Sequence, residues 1–248
     1  MGQRLLHDQT MTRPSNPKLF MLKTFLTMLA VAGLFTACQA TPPNYPPSSR
    51  EYIEWCDVWI SHATETNLPR VLLIGDSITR AYYPEVEKKL EGRACVGRLA
   101  TSAFISDPVL EQQLAMVLSQ YQFDVIHFNN GMHGWQHSEA EYEAAFPKML
   151  QTIKKYAPKA KLIWANTTPL KVSPSLPADN HADATDARVA ARNTIAAKIV
   201  SAQGIPIDDL FTLALGHPEY HSDNIHFNDR GIALQANQVA SIIEKSLH

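Results

Sequence analysis

Two short motifs near opposite ends of the domain contain residue types suited to nucleophilic catalysis. The first is Gly75-Asp76-Ser77, which follows an apolar run at 71–74 and opens a helix-compatible stretch. The second pairs Asp223 with His226 on a segment before the last helical pattern. A serine hydroxyl is a weak nucleophile at neutral pH, so it needs a neighbouring base, and that base needs a group that fixes its tautomer. Ser77, His226 and Asp223 can supply these three functions.

Each motif also has a purely structural interpretation. Asp76 and Ser77 can satisfy the free N–H groups at a helix start. Asp223 can cap a turn, and His226 can be a surface histidine. The positions of the motifs favour catalysis, because one follows the first predicted strand and the other follows the last. The carboxyl ends of parallel strands share one edge of a sheet, which is where ligands bind in open α/β folds.

Apolar runs alternate with helical patterns from residue 70 onward. Strands are predicted, in order, at 71–74, 94–99, 125–128, 162–165 and 205–207. Helices are predicted at 77–90, 107–121, 138–156, 186–203 and 228–247, with Asn228 as the N-cap of the last. This alternation predicts an α/β fold whose parallel sheet is covered on both faces. A flavodoxin-like five-stranded order, 2-1-3-4-5, would bring the two motifs to one edge.

The two motifs resemble, in order and placement, those of the SGNH hydrolases, also called GDSL esterases and lipases. The resemblance covers residues 51–248 and implies a three-layer α/β/α sandwich. It implies ester hydrolysis, often of acetyl groups on sugars, by Ser77, His226 and Asp223 without a metal or other cofactor. The implied partner is a small-molecule or polysaccharide ester. The formal net charge of −2 and the lack of a basic stripe argue against nucleic acid as a partner.

The resemblance also implies an oxyanion hole that contains the Ser77 N–H. The family usually adds the N–H of a glycine after the second strand, and Ala103 is the best match for that residue. The family's third donor is the asparagine of Gly-x-Asn-Asp after the third strand. Here an ungapped match places His133 at that position, and a shifted match places Asn129 there. Either side chain can donate a hydrogen bond; alternatively, Asn129 and Asn130 form a turn and His133 is exposed.

Other functions are compatible with the same residues. A lipase, thioesterase or lysophospholipase would use the same scaffold on longer acyl chains, and an acyltransferase would pass the acyl group to a sugar. A surface lipoprotein that binds glycans without catalysis is the alternative from another class. Sugars often stack on aromatic rings, and Tyr82, Tyr83, Trp135 and Trp164 are available, although such residues more often belong to a core.

The N-terminal segment is typical of an exported protein. Lys23 precedes an apolar stretch at 25–37, which is too short to span a membrane and suits a signal peptide. The stretch ends in small residues before Cys38 and resembles a bacterial lipobox, with an ordinary signal peptide as the alternative. We therefore expect a leader at 1–37, for which Met21 is the expected true start, and a Pro-rich tether at 38–50. The expected location is the cell envelope, lipid-anchored in the periplasm or outer membrane.

Two further cysteines, Cys56 and Cys95, belong to the expected domain. An oxidising compartment permits a disulfide between them, and two buried thiols are the alternative. The sequence contains no spacing of Cys and His that indicates a metal site.

Overall fold

The computed structural model describes residues 50–171 and 184–247. These residues lie in a unit that spans Pro46–His248. The expected leader, Cys38 and nearly all of the expected tether lie outside the described residues. A second segment, 169–183, contains three prolines and is expected from its sequence to form a loop at the active-site edge; most of it also lies outside the described residues.

One six-stranded sheet forms the centre of the domain. Its strands are β1 (Cys56–Ile60), β2 (Arg70–Gly75), β3 (Cys95–Thr101), β4 (Val125–Phe128), β5 (Lys161–Ala165) and β6 (Ile207–Asp208). Their order is β1-β3-β2-β4-β5-β6. The pairs among β2 to β6 are all parallel and follow the predicted order 2-1-3-4-5.

The prediction of five strands is wrong by one, because β1 pairs antiparallel with β3 at the sheet edge. This strand lacks the apolar pattern of a buried strand. Val58 and Trp59 are 36% and 56% exposed, so β1 depends on backbone pairing rather than on a buried face.

Six α-helices surround the sheet within the described residues. They are α1 (Ser77–Lys89), α2 (Pro108–Leu118), α3 (Glu139–Tyr156), α4 (Asp186–Ser201), α5 (Leu210–Leu215) and α6 (Asp229–Leu247). A 3-10 helix, Pro218–Tyr220, precedes the loop that carries His226. The short helix α5 was not predicted; the other five lie within the predicted ranges.

Two hydrophobic clusters on opposite faces of the sheet confirm the three-layer sandwich. Val71 and Leu73 of β2 pack in the same cluster as residues of α1, α5 and α6. Leu72 and Ile74 of the same strand pack in the other cluster with residues of α2, α3 and α4. Alternate side chains of a strand point to opposite faces, so the continuous apolar run of β2 reflects burial on both sides.

The four aromatic residues considered for sugar stacking belong to the core. Tyr82, Tyr83, Trp135 and Trp164 are at most 4% exposed. Their rings therefore stabilise the packed layers and do not present a surface to a substrate.

The disulfide considered possible between Cys56 and Cys95 is not formed, since both residues are free cysteines. The segments that carry them do lie side by side, because β1 pairs with β3. However, the register places Cys56 opposite Thr101, whereas Cys95 lies at the other end of β3. Cys95 lies six residues before Thr101 on β3, which is roughly 20 Å from the position opposite Cys56 at the usual rise per residue. The alternative of two buried thiols holds only for Cys95, because Cys56 is exposed.

Within residues 50–171 and 184–247, no helix is long and apolar enough to cross a membrane. In the same residues, no group of three or more His, Cys, Asp or Glu side chains is arranged to hold a metal ion.

Candidate active site

The turn between β2 and α1 places Ser77 at the first position of a helix. The Asp76 side chain accepts a hydrogen bond from the Ile78 N–H at 2.9 Å and caps α1. A side chain at Gly75 would collide with Thr79, so the tight turn requires glycine. The structural interpretation of this motif is correct for Asp76, and that cap leaves Ser77 at the carboxyl edge of the sheet.

A continuous chain of hydrogen bonds links Ser77, His226 and Asp223. The Ser77 hydroxyl lies 2.8 Å from His226 Nε2. On the other side of the ring, His226 Nδ1 lies 2.8 Å from Asp223 Oδ2. If Nδ1 carries the proton and donates to the carboxylate, Nε2 is the acceptor for the serine proton. These are the contacts that a base and its orienting group require.

The loop that carries His226 is folded by its own backbone. The Ser222 N–H donates to the His226 carbonyl at 2.9 Å, and His221 forms an isolated β-bridge with Phe227. Asn228 then caps α6 by accepting from the N–H of Arg230, at 3.0 Å. The predicted cap is thus confirmed, and the imidazole is fixed between a hairpin-like bridge and a helix start.

Asp223 is held as a carboxylate by donors from its own loop. Its Oδ1 accepts the N–H of Ile225 at 2.7 Å and the N–H of His226 at 2.6 Å. Partial burial alone would raise the pKa of Asp223. The two backbone donors and the His226 ring outweigh that effect and lower the pKa below its ordinary value.

This half of the site is open to solvent. The side chains of His226 and Asp223 are 44% and 49% exposed. A substrate can therefore approach the Ser77–His226 contact from the surface.

The expected oxyanion residues after β3 and β4 differ in how their donors are used. The Ala103 N–H donates to Thr101 Oγ1 at 3.0 Å. The Asn129 amide nitrogen donates to the Ala165 carbonyl at 2.7 Å and to Thr167 Oγ1 at 3.1 Å. Both hydrogens of that amide are thus committed inside the protein.

His133 is not the exposed histidine of the alternative interpretation. Its side chain is only 12% exposed, and its Nδ1 lies 2.9 Å from Glu51 Oε2. Burial alone would lower the pKa of His133. The hydrogen bond to Glu51 and the negative charges of Asp76, Glu51 and Glu54 outweigh burial and raise the pKa. Trp55 links His133 to α1, because its ring centre lies 6.2 Å from that of His133 and 4.7 Å from the guanidinium carbon of Arg80.

Arg192 on α4 is a residue of this region that sequence reasoning missed. Its guanidinium is fully buried and lies 4.1 Å from the ring centre of Trp135. It donates to backbone carbonyls of the loop after β4, those of Gly131, His133, Gly134 and His137. Burial lowers its pKa to about 10, so the side chain is still charged at neutral pH.

Glu51 was missed as well. It belongs to the segment before β1, and no motif in the sequence relates it to His133. For Arg192, the sequence offered one signal, an arginine on the apolar face of a predicted helix. That pattern does not by itself indicate a buried guanidinium, because a long side chain can also reach solvent from such a position.

Comparisons with known proteins agree with this architecture. A carbohydrate esterase family 3 structure from Talaromyces cellulolyticus has a TM-score of 0.57 at 16% identity, covering 73% of this chain and 98% of its own. A GDSL-like lipase from Bacteroides thetaiotaomicron has a TM-score of 0.57 at 15% identity, covering 71% and 88%. The acetyl xylan esterase AlAXEase has a TM-score of 0.54 at 18% identity, covering 70% and 99%.

At these identities the structural likeness shows the fold alone. A search of curated protein sequences gives no significant match. The family model of the GDSL-like lipase/acylhydrolase family, however, matches residues 73–234, a span that begins within β2 just before Ser77 and ends in α6 beyond His226. The chain therefore belongs to the GDSL-like lipase/acylhydrolase family and is a hydrolase of the SGNH type.

Proposed function

We propose that the protein is a serine esterase that removes small acyl groups, chiefly acetyl, from carbohydrate esters through an acyl-enzyme on Ser77. The observation that carries the proposal is the hydrogen-bonded chain from Ser77 through His226 to Asp223, with both contacts at 2.8 Å.

In the first half of the reaction, Ser77 Oγ attacks the ester carbonyl while His226 Nε2 takes the hydroxyl proton. The tetrahedral intermediate collapses, the bond to the leaving alcohol breaks, and the imidazolium returns the proton to that alcohol. In the second half, water attacks the acyl-enzyme and gives its proton to His226. The bond between Ser77 Oγ and the acyl carbon then breaks, the imidazolium returns the proton to Ser77 Oγ, and the carboxylic acid leaves. Asp223 stabilises the imidazolium in both halves.

The negative oxygen of each intermediate needs hydrogen-bond donors. We assign this function to the Ser77 N–H at the start of α1 and to the His133 side chain. His133 is preferred to Asn129, because the Asn129 amide already donates both of its hydrogens to internal acceptors. The Ala103 N–H can act as a further donor if its hydrogen bond to Thr101 Oγ1 is replaced by one to the oxyanion.

Two observations support a small acyl group on a carbohydrate. The Ser77–His226 contact lies at an open edge, which suits an ester displayed on a larger molecule. Two of the solved relatives are by their names a carbohydrate esterase and an acetyl xylan esterase.

The experiment that tests this function measures acetate release from acetylated polysaccharides, together with a series of soluble aryl esters of increasing acyl length. We expect the acetyl ester to be hydrolysed fastest and Ser77→Ala to abolish the activity. Ser119→Ala, which changes an exposed serine at the end of α2, is the matched control. A preference for long chains would favour a lipase or thioesterase, and an acylated sugar product would favour an acyltransferase. Full activity of Ser77→Ala would contradict the mechanism.

We also propose that the protein is exported and lipid-anchored through Cys38. The support is sequence alone: an apolar stretch ending in small residues before Cys38, followed by a Pro-rich segment. We expect wild-type protein to incorporate labelled fatty acid and to sediment with membranes. A Cys38→Ser variant that still incorporates the label would contradict the proposal.

A further inference from the structure

The segment at 50–55, here called the strap, lies along the edge of the sheet that carries Ser77. Its backbone is bound to the end of β3, because the Trp55 N–H donates to Ser102 Oγ at 2.9 Å and the Ser102 N–H donates to the Trp55 carbonyl at 3.1 Å. Glu54 accepts a hydrogen bond from the Ser102 hydroxyl at 2.9 Å. The C-terminal end of the strap is thus fixed beside Ala103, and its N-terminal end lies on the loop after β4.

Glu51 binds two consecutive residues of that loop. Its Oε2 accepts from His133 Nδ1 at 2.9 Å, and its Oε1 accepts from the Gly134 N–H at 3.0 Å. The Glu51 side chain is only 15% exposed. The edge of the Trp55 ring, 6.2 Å from the His133 ring centre to centre, adds a second contact from the strap. One carboxylate therefore fixes both the imidazole and the backbone that carries it.

We propose that Glu51 is a positioning residue, which holds His133 so that its Nε2–H stabilises the oxyanion during acyl transfer. This inference rests on the proposed function and adds a residue to it. Its basis is the paired contact of one buried carboxylate with His133 and Gly134.

The chemistry of the imidazole explains why such a residue is needed. An asparagine amide always presents two N–H donors, whereas a neutral imidazole has one, and its position depends on the tautomer. A carboxylate at Nδ1 orients the ring and keeps a hydrogen on Nδ1, which in a neutral ring leaves Nε2 without one. The same carboxylate stabilises the imidazolium, the form in which Nε2 also carries a hydrogen. When the ring is protonated, Nε2–H donates as well. The substitution of histidine for asparagine thus requires a partner on the far side of the ring.

The charges around His133 favour the protonated ring. Burial alone would lower the pKa of His133, but the hydrogen bond to Glu51 and the negative charges of Asp76, Glu51 and Glu54 raise it. The cation of Arg192 donates to the His133 backbone carbonyl at 2.8 Å. Arg80 stacks on Trp55, with 4.7 Å between its guanidinium carbon and the ring centre. A charged donor binds an oxyanion more strongly than a neutral one.

The test is a double-mutant cycle of Glu51→Gln and His133→Ala, read as kcat and KM on an acetyl ester. Glu51→Gln alone should lower kcat by about 10- to 100-fold with little change in KM, as is typical of a partner that orients a functional group. In the His133→Ala background it should cause no further loss, because Glu51 acts through His133. Additive losses would show a general structural effect and would overturn the inference.

Two further variants separate positioning from folding. Arg50→Gln weakens the same strap at its ion pair with Asp107, 3.6 Å long, but leaves the Glu51 contacts in place, so its kcat should stay within about threefold of wild type. An equal loss in Arg50→Gln and Glu51→Gln would overturn the inference. Glu51→Asp, which keeps the charge, should recover part of the rate and replaces Glu51→Gln in the cycle if the latter fails to fold.

The pH profile gives a readout that a structural role would not move. Because Glu51 raises the pKa of His133, its removal should convert the imidazolium to the neutral ring at a lower pH. We expect the kcat of wild type to decline at alkaline pH as the His133 imidazolium loses its proton. This decline should shift to lower pH in Glu51→Gln, and an unchanged decline would overturn the inference.

Ser77→Ala keeps the proposed function and the inference about Glu51 distinct. If it hydrolyses esters normally, the proposed function itself fails; if it is inactive but the cycle is additive, only the inference fails.

Discussion

The two halves of the candidate active site are built in different ways. The half around His226 depends on short-range spacing, since Asp223 and His226 lie on one loop and remain 49% and 44% exposed. The half to which we assign the oxyanion donors is mostly buried and depends on distant segments. Glu51 and His133 are 82 residues apart in the sequence and only 15% and 12% exposed.

We attribute this difference to the roles proposed for the two halves. The base exchanges protons with the leaving alcohol and with water, so it needs access from the surface. Oxyanion donors must be aimed before charge develops, and a rigid, buried frame lowers the cost of reorganisation. Arg192 provides much of that frame, because its guanidinium satisfies carbonyls of the loop on both sides of His133.

The largest expected effect comes from Asp223→Asn. The asparagine oxygen can still accept from the backbone N–H groups of Ile225 and His226, so the loop should keep its fold. The amide nitrogen would face His226 Nδ1, however, and would favour the wrong tautomer. We expect kcat to fall by roughly 10⁴, with little change in melting temperature. A rate within tenfold of wild type would show that the exposed half does not depend on this carboxylate.

A smaller loss is expected from His133→Ala. Removal of one oxyanion donor typically costs about 10²–10³ in kcat, and the KM should change little. Asn129→Ser is the comparison. Because the Asn129 amide binds only internal acceptors, this variant should lose stability while the folded fraction keeps most of its rate. Reversed behaviour of the two variants would move the donor from His133 to Asn129.

The smallest of these effects is expected from Arg192→Lys, which tests whether the frame acts through stability. The ammonium keeps the charge but lacks the planar fork that reaches several carbonyls at once. We expect the free energy of unfolding to fall by about 1–3 kcal/mol, measured by urea denaturation, and kcat to fall less than tenfold. Arg230→Lys on the exposed first turn of α6 is the control and should leave both quantities unchanged.

The contrast between short-range spacing and contacts of distant segments also explains which parts of the molecule could be predicted from the sequence. The parallel strand order, the helix bounds and the hydrogen-bonded set of Ser77, Asp223 and His226 follow from apolar runs and from motifs of three or four residues. Such patterns report local geometry and burial on both faces of a sheet, and both are visible in one sequence.

Other features depend on contacts that no local pattern encodes. The edge strand β1 has an exposed face, and α5 has only six residues, so neither produces a long apolar period. The contacts of Glu51 with His133 and of Arg192 with the loop after β4 join segments that become neighbours only in the folded chain. The choice between a disulfide and free thiols at Cys56 and Cys95 depended in the same way on the register of β1 and β3, which no local pattern encodes.

The most direct test of the central claim, that Ser77 is the nucleophile, is stoichiometric labelling of the folded protein with a fluorophosphonate, read by intact mass and peptide mapping. We predict one probe per chain, attached to Ser77, and loss of labelling in His226→Ala. A folded wild-type protein that takes up no probe, or carries it on another residue, would contradict the account.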